Sequence, residues 1–160
     1  MPMDSSTERV ILGEELMPLV KERLAAGQTI RYFPFRGLSM LPMLRQGKDV
    51  VELSPLPPKL KKYDLPVYQY PSGKYVMHRV VEVKEDHYIC LGDNTYEYET
   101  ITPDQMIGLV SAFKRGEKRI EVDDPAYRLY CRVWCASFPA RKALRRFKQR
   151  VKSFLRRILK

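Results

Sequence analysis

The spacing of apolar positions divides the 160-residue chain into three parts, and each spacing predicts a different kind of element. Between residues 7 and 26, apolar side chains recur every three or four positions, which predicts an amphipathic helix that ends at Gly27. From residue 29 to residue 122, short β-branched and aromatic runs alternate with turn residues, which predicts a body made mostly of β-strands. Helical spacing returns from Pro125 onward.

Turn signals define the strands of this body. We predict strands at residues 29–35, 49–53, 65–70, 74–85, 88–92, 107–114 and 118–122. Residues 71–73 and 115–117 each contain a glycine and are short enough to form hairpin turns. Residues 38–45 have a glycine before them and contain a proline, so we predict a compact turn or short helix there. The expected fold is therefore mainly β, with a helix before the first strand.

Charge is distributed unevenly along the chain. The net charge is +10, but residues 1–124 hold 17 Lys and Arg against 19 Asp and Glu, which is a net charge of −2. Residues 125–160 hold 12 Lys and Arg and no acidic residue. We therefore expect two units, a β-domain with its N-terminal helix at residues 1–124 (core 29–122) and a basic helical tail at residues 125–160.

Five short motifs follow one another in the predicted body. They are GLSMLPML at residues 37–44, KYDLPV at 62–67, HRV at 78–80, LGDN at 91–94 and IGLV at 107–110. In this order they resemble the signal-peptidase-like and LexA-like serine peptidases, and specifically the branch that uses histidine as the base. The resemblance covers residues 31–115, about half of the chain, and implies a LexA/signal-peptidase-like coiled β-barrel.

The resemblance implies a serine nucleophile activated by a histidine. A serine hydroxyl needs a base to remove its proton as it attacks a carbonyl, and histidine has a pKa suited to that task. Ser39 stands at the nucleophile position and His78 at the base position. The family places an acid that orients the imidazole in or shortly after the LGDN motif. We prefer Asp93 for this role and keep Glu99, six residues further on, in reserve.

The same resemblance implies an oxyanion hole and a substrate pocket. The backbone N–H of Ser39 is the expected oxyanion donor. Gly37 stands where many relatives carry a hydroxyl, so the hole would be built from backbone. Met40, Leu41 and Pro42 are expected to shape a pocket for small substrate residues. We expect no cofactor and no metal, because no second Cys or His pair accompanies Cys131 and Cys135 to form a zinc site.

The leading functional hypothesis is a serine endopeptidase that cleaves a peptide or precursor protein. The alternative is a non-catalytic domain of the same fold that binds a peptide or protein partner. A third hypothesis, a LexA-like self-cleaving regulator, is suggested by the Ala-Gly dipeptide that ends at Gly27. It is the least favoured, because only 12 residues separate that glycine from Ser39.

The basic tail and the N-terminal residues give an expectation of where the protein is located in the cell. Residues 140–160 combine an apolar stripe with ten Lys and Arg, which is typical of helices in an anionic membrane interface. Packing on the body is the second interpretation and nucleic acid the third. No apolar stretch approaches the about 20 residues of a spanning helix, and residues 1–30 are charged throughout. We expect a cytoplasmic protein, peripheral at the inner face of the membrane, with free thiols at Cys90, Cys131 and Cys135 and with its oligomeric state open.

Overall fold

A computed structural model describes residues 16–33 and 35–158 of the chain. Three α-helices and nine β-strands make up these residues. In chain order they are α1 Met17–Ala25, β1 Ile30–Phe33, β2 Asp49–Ser54, β3 Pro66–Gln69, β4 Tyr75–Met77, β5 Arg79–Val83, β6 Tyr88–Leu91, β7 Glu99–Ile101, β8 Met106–Arg115, β9 Lys118–Glu121, α2 Pro125–Ala136 and α3 Phe138–Ile158. A 3-10 helix at Pro103–Gln105 precedes β8.

The strands form two antiparallel sheets. The larger sheet has the order β1-β2-β8-β3-β4, with β9 added beside β8, and the smaller sheet has the order β5-β6-β7. Within the described residues both sheets are open and form no closed barrel, so the predicted coiled β-barrel stays a prediction. Helical and strand residues are nearly equal in number, which makes the fold mixed α/β rather than mainly β. Most of the helical residues belong to α2 and α3, which together span almost all of residues 125–158.

The chain passes from one sheet to the other at His78. We predicted a single strand at residues 74–85, but β4 pairs with β3 in the larger sheet and β5 pairs with β6 in the smaller one. His78 lies between the two strands and belongs to neither. The unbroken β-branched run gave no sign of this division. Its consequence is that the side chain of His78 lies at the junction of the two sheets.

Several local predictions are confirmed. The hairpins at residues 71–73 and 115–117 join β3 to β4 and β8 to β9. Gly27 has a φ of +78° just after α1, the left-handed conformation that commonly ends a helix. The predicted helix began at residue 7, and its first nine residues, 7–15, lie outside the described residues. The unpredicted strand β7 pairs with β6 and carries Glu99.

The main hydrophobic core lies between the larger sheet, α1 and α2. Its buried residues include Met17, Val20 and Leu24 from α1, and Tyr127 and Cys131 from α2. Residues 125–136 therefore pack with the body, although the predicted boundary put them in a separate tail. No helix of the described chain is long and apolar enough to cross a membrane.

The buried guanidinium of Arg79 attaches α2 to the body. Arg79 is fully buried and donates to both carboxylate oxygens of Asp93, with distances of 2.9 Å from Nε and 2.8 Å from Nη2. Its Nη1 donates to the hydroxyl of Tyr127 and to Sγ of Cys131, each at 2.9 Å. Because a buried charge must be paired and hydrogen-bonded, this cluster links β5, the turn after β6 and α2.

Candidate active site

Ser39 lies half-buried in a series of turns over residues 38–44. The amide of Leu41 donates to the carbonyl of Leu38 at 3.2 Å, and the amide of Leu44 donates to the carbonyl of Met40 at 2.9 Å. This serine turn, residues 37–44, begins at Gly37, whose φ of +103° is strained for other residues. The compact turn predicted here is therefore confirmed.

The LGDN motif holds the serine turn from the other side. The backbone amide of Asn94 donates to the carbonyl of Ser39 at 2.7 Å, and its side-chain amide donates to the carbonyl of Leu38 at 3.1 Å. Thr95 closes the motif, since its hydroxyl accepts from the amide of Gly92 at 2.9 Å. This motif therefore fixes the backbone that carries the candidate nucleophile.

The imidazole of His78 is buried and is held by two polar side chains. Its Nδ1 lies 2.9 Å from Oε2 of Glu99 and 3.2 Å from the hydroxyl of Tyr68. The Tyr68 hydroxyl also donates to the same carboxylate oxygen. A carboxylate can only accept, so Nδ1 carries a proton, and in the neutral ring Nε2 is the nitrogen with the lone pair. This is the tautomer that a general base requires.

Nε2 of His78 faces the turn that holds Ser39. A Cβ built on Gly92 would lie 2.9 Å from this nitrogen and 2.9 Å from the carbonyl oxygen of Ser39. Only glycine leaves room for the two groups to approach the same point. Ser39 and His78 also line one cleft of about 440 Å³. The Ser39 hydroxyl makes no hydrogen bond within the described part of the chain, so it is open to a substrate.

Glu99 carries a negative charge at the site. Burial opposes its ionisation, but hydrogen bonds from His78, Tyr68 and Tyr70 outweigh that effect and lower its pKa to about 2. Its side chain is 22% exposed. Burial and the neighbouring Glu99 carboxylate in turn raise the pKa of the Tyr68 hydroxyl well above its ordinary value. Tyr68 is therefore a neutral hydrogen-bond donor and Glu99 a fixed anion beside the imidazole.

The preference for Asp93 as the orienting acid is corrected by these contacts. Both of its carboxylate oxygens accept from Arg79, and Tyr130 donates to one of them at 3.0 Å. His78 and Arg79 are neighbours in an extended segment, where successive side chains point in opposite directions. In this extended segment the imidazole of His78 therefore points toward Glu99, and the guanidinium of Arg79 points toward Asp93. The reserve residue Glu99 occupies the orienting position.

The predicted oxyanion and pocket residues are only partly brought together. The backbone N–H of Ser39 donates to no group in the described residues, as an oxyanion donor requires. The N–H of Gly37 is already used, because it donates to Oε1 of Gln46 at 2.7 Å. Met40 lines the cleft, whereas Leu41 and Pro42 are not among its lining residues. The pocket prediction is therefore corrected for these two residues.

Other parts of the cleft were not predicted from the sequence. Its wall is formed in part by β4, which lies at the edge of the larger sheet. Apolar side chains from α1, β1 and β3, among them Met17, Phe33 and Val67, complete the lining. Tyr68, the second partner of the imidazole, is fully buried and looked like an ordinary strand residue in the sequence. Within the described ranges, no cluster of His, Cys, Asp and Glu is arranged to hold a metal ion.

Comparisons with known proteins identified no relative of this chain. No protein-family model matches the chain, and searches of curated proteins and of solved structures found no match. The resemblance to serine peptidases is therefore an expectation that comes only from the order of the five motifs in the sequence.

Proposed function

We propose that the protein is a serine endopeptidase with a LexA/signal-peptidase-like fold, which cleaves a peptide or precursor protein in the Ser39–His78 cleft. The observation that carries the proposal is the hydrogen bond between Glu99 and Nδ1 of His78. It leaves Nε2 as an acceptor directed toward the serine turn. A carboxylate that holds the imidazole in this tautomer is one part of the triad used in nucleophilic catalysis, and the other part is contact between Nε2 and the serine hydroxyl. The proposed reaction requires Ser39 to make that contact when a substrate binds.

The proposed reaction has two halves. Oγ of Ser39 attacks the scissile carbonyl carbon while Nε2 of His78 takes the hydroxyl proton, and the backbone N–H of Ser39 donates to the developing oxyanion. His78 then gives its proton to the leaving amine, and an acyl ester remains on Ser39. A water molecule attacks the ester with His78 again as the base, which releases the acid and restores the serine. Glu99 stays ionised throughout and stabilises the imidazolium.

An extended peptide fits the cleft best. Among residues 16–33 and 35–158, β4 is the last strand of the larger sheet and pairs only with β3, and an extended segment can add to such an edge as a further strand. The lining is mostly apolar and the cleft holds about 440 Å³, which suits a few small or apolar side chains. We therefore expect preferred cleavage beside small or apolar residues in unstructured segments.

Cleavage of a diverse peptide library, read by mass spectrometry, tests the proposal. We expect defined cuts with the wild-type protein and none with Ser39→Ala or His78→Ala. Matched controls are Ser72→Ala in the exposed turn between β3 and β4 and His87→Ala in the turn between β5 and β6, which should cut like wild type. Cuts that survive both site substitutions would refute the proposal.

A binding domain without catalysis is the second candidate. It is favoured by one observation, namely that the Ser39 hydroxyl forms no hydrogen bond with His78 in the described structure. The same cleft and β4 edge would then hold a peptide without cutting it. In that case library peptides would bind wild type and Ser39→Ala equally, with no product from either protein.

Self-cleavage is the least supported of the three hypotheses. Gly27 lines a different groove from Ser39, and it ends α1 in a left-handed conformation. A full-length mass that stays unchanged during long incubation at alkaline pH would eliminate this hypothesis. Loss of an N-terminal fragment in wild type but not in Ser39→Ala would support it.

A further inference from the structure

Helix α3 has a stripe of exposed apolar side chains. The stripe recurs at spacings of one to four residues on one face and consists of Leu144, Phe147, Val151, Phe154, Leu155 and Ile158. Exposure of its members runs from 41% for Val151 to 64% for Phe147. In α2, by contrast, Tyr127 and Cys131 are buried in the core. A contiguous stripe of large exposed apolar side chains is a sign of an interaction surface.

Only the beginning of α3 is attached to the body. The guanidinium of Arg141 stacks on the Trp134 ring at 4.0 Å and donates to the carbonyl of Asp93 at 3.0 Å. The Phe138 ring lies 5.2 Å from that of Tyr98, between ring centroids. Every residue from 143 to 158 is exposed, so the stripe is not covered by the described body. The guanidinium of Arg145 also lies over the Tyr96 ring, 4.2 Å from its centroid. The packing interpretation thus holds for α2 and for the first two turns of α3.

Positive charge surrounds the stripe. Nine Lys and Arg lie within α3, and residues 125–160 contain no acid. Within the described residues, none of these nine forms an ion pair. A second copy of the helix would bring the same charge against its own and would be repelled. A nucleic acid would match the cations but would leave two exposed phenylalanine rings and four aliphatic side chains without a partner.

An anionic bilayer matches both features together. Interfacial helices bury an apolar face at the boundary between headgroups and acyl chains, while Lys and Arg contact anionic headgroups. We infer that α3 docks on the surface of an anionic lipid bilayer through this stripe. Since its first turns contact residues 93–98, docking would hold the candidate cleft at a fixed distance from the bilayer. The inference does not depend on peptidase activity.

Vesicle co-sedimentation of the full chain tests the inference. The probes are vesicles of phosphatidylcholine alone and vesicles of equal parts phosphatidylcholine and phosphatidylglycerol. We expect strong binding only to the anionic vesicles, and a decrease in binding with added salt. The double substitution Phe147→Gln with Phe154→Gln should weaken binding by about tenfold or more, because two aromatic rings no longer enter the bilayer.

The control replaces two exposed aliphatic residues of α2 by glutamine. Leu129 and Val133 are 61% and 60% exposed, so Leu129→Gln with Val133→Gln should bind vesicles like wild type. Undiminished binding of the Phe147 and Phe154 variant would overturn the inference, as would equal binding to neutral vesicles. Binding to duplex DNA without binding to vesicles would overturn it in favour of nucleic acid. Self-association through the stripe, without vesicle binding, would overturn it in favour of an oligomer.

A second measurement keeps the test independent of those variants. With Phe154→Trp, insertion of the stripe should shift the tryptophan emission to shorter wavelength when anionic vesicles are added. Wild type, whose single tryptophan is the half-buried Trp134 that contacts the body, provides the baseline. An emission spectrum that does not move beyond this baseline would also overturn the inference.

Discussion

Replacing Glu99 by glutamine tests the electrostatics of the candidate site and its proposed chemistry together. The carboxylate accepts from Nδ1 of His78 and from the hydroxyl of Tyr68. Glutamine has nearly the same size but no charge, and its amide nitrogen can donate to Nδ1 instead. The imidazole proton then moves to Nε2, where the proposed reaction needs a lone pair. We expect the turnover number for peptide cleavage to fall roughly 10²- to 10⁴-fold.

The same change has a stability cost that depends on pH. Burial opposes ionisation of Glu99, but hydrogen bonds from His78, Tyr68 and Tyr70 lower its pKa from 4.5 to about 2. This difference corresponds to about 3 kcal/mol of folding free energy. Because the pKa is lowered in the folded state, that stability is present above the unfolded pKa of 4.5. It is lost as the pH falls toward 2.

Urea unfolding of wild type and Glu99→Gln, from neutral pH down to about pH 2, measures the effect. The variant should be less stable by about 3 kcal/mol at neutral pH, and the difference should vanish near the low end of the range. Glu97→Gln is the matched control, since Glu97 is an exposed carboxylate two residues away. A difference that stays constant with pH, or an equal loss in the Glu97 variant, would refute the reasoning.

Three further substitutions test neighbouring contacts. Tyr68→Phe removes the hydroxyl that donates to Glu99, so we expect the free energy of unfolding in urea to fall by about 1 kcal/mol. We also expect a lower kcat for peptide cleavage at unchanged KM. An unchanged kcat would contradict a positioning role for Tyr68. Arg79→Met leaves the Asp93 carboxylate buried without its cation, and we expect urea unfolding to show a loss of about 3–5 kcal/mol; a negligible loss would refute this. Gly92→Ala adds a Cβ that would lie 2.9 Å from Nε2 of His78 and 2.9 Å from the carbonyl oxygen of Ser39. We therefore expect peptide cleavage to slow roughly 10²-fold. Full activity would show that the serine turn moves to make room for the methyl group.

The sequence predicts those parts of the fold that depend on local signals. Gly27 ends a helix and residues 71–73 form a hairpin, because each depends on backbone conformations that neighbouring residues do not alter. Ser39 and His78 were both named as candidate site residues, and the structure brings them to one cleft although 39 residues separate them. The order of the motifs was informative there, since one serine or one histidine alone would have carried little weight.

The parts that could not be predicted depend on direction and on distant contacts. The residue pattern of 74–85 is the same for one strand as for two consecutive strands. The sequence therefore did not indicate that the chain changes sheet at His78. The choice between Asp93 and Glu99 depended on where each side chain points. That direction is decided by Arg79, whose need for a buried partner is a tertiary property. The sequence also did not indicate that α2 packs on the body through Arg79. That contact is tertiary, because Arg79 lies 48 residues before its hydrogen-bond partner Tyr127.

One dipeptide connects the candidate site to the helices that follow it. His78 points toward Glu99 and the cleft, while Arg79 points toward Asp93 and α2. The carbonyl of Asp93 in turn accepts from Trp134 of α2 and from Arg141 of α3, each at 3.0 Å. The LGDN motif therefore contacts the serine turn on one side and both helices on the other. The first turns of α3 therefore pack with the body through the LGDN motif, whereas the rest of the helix is exposed.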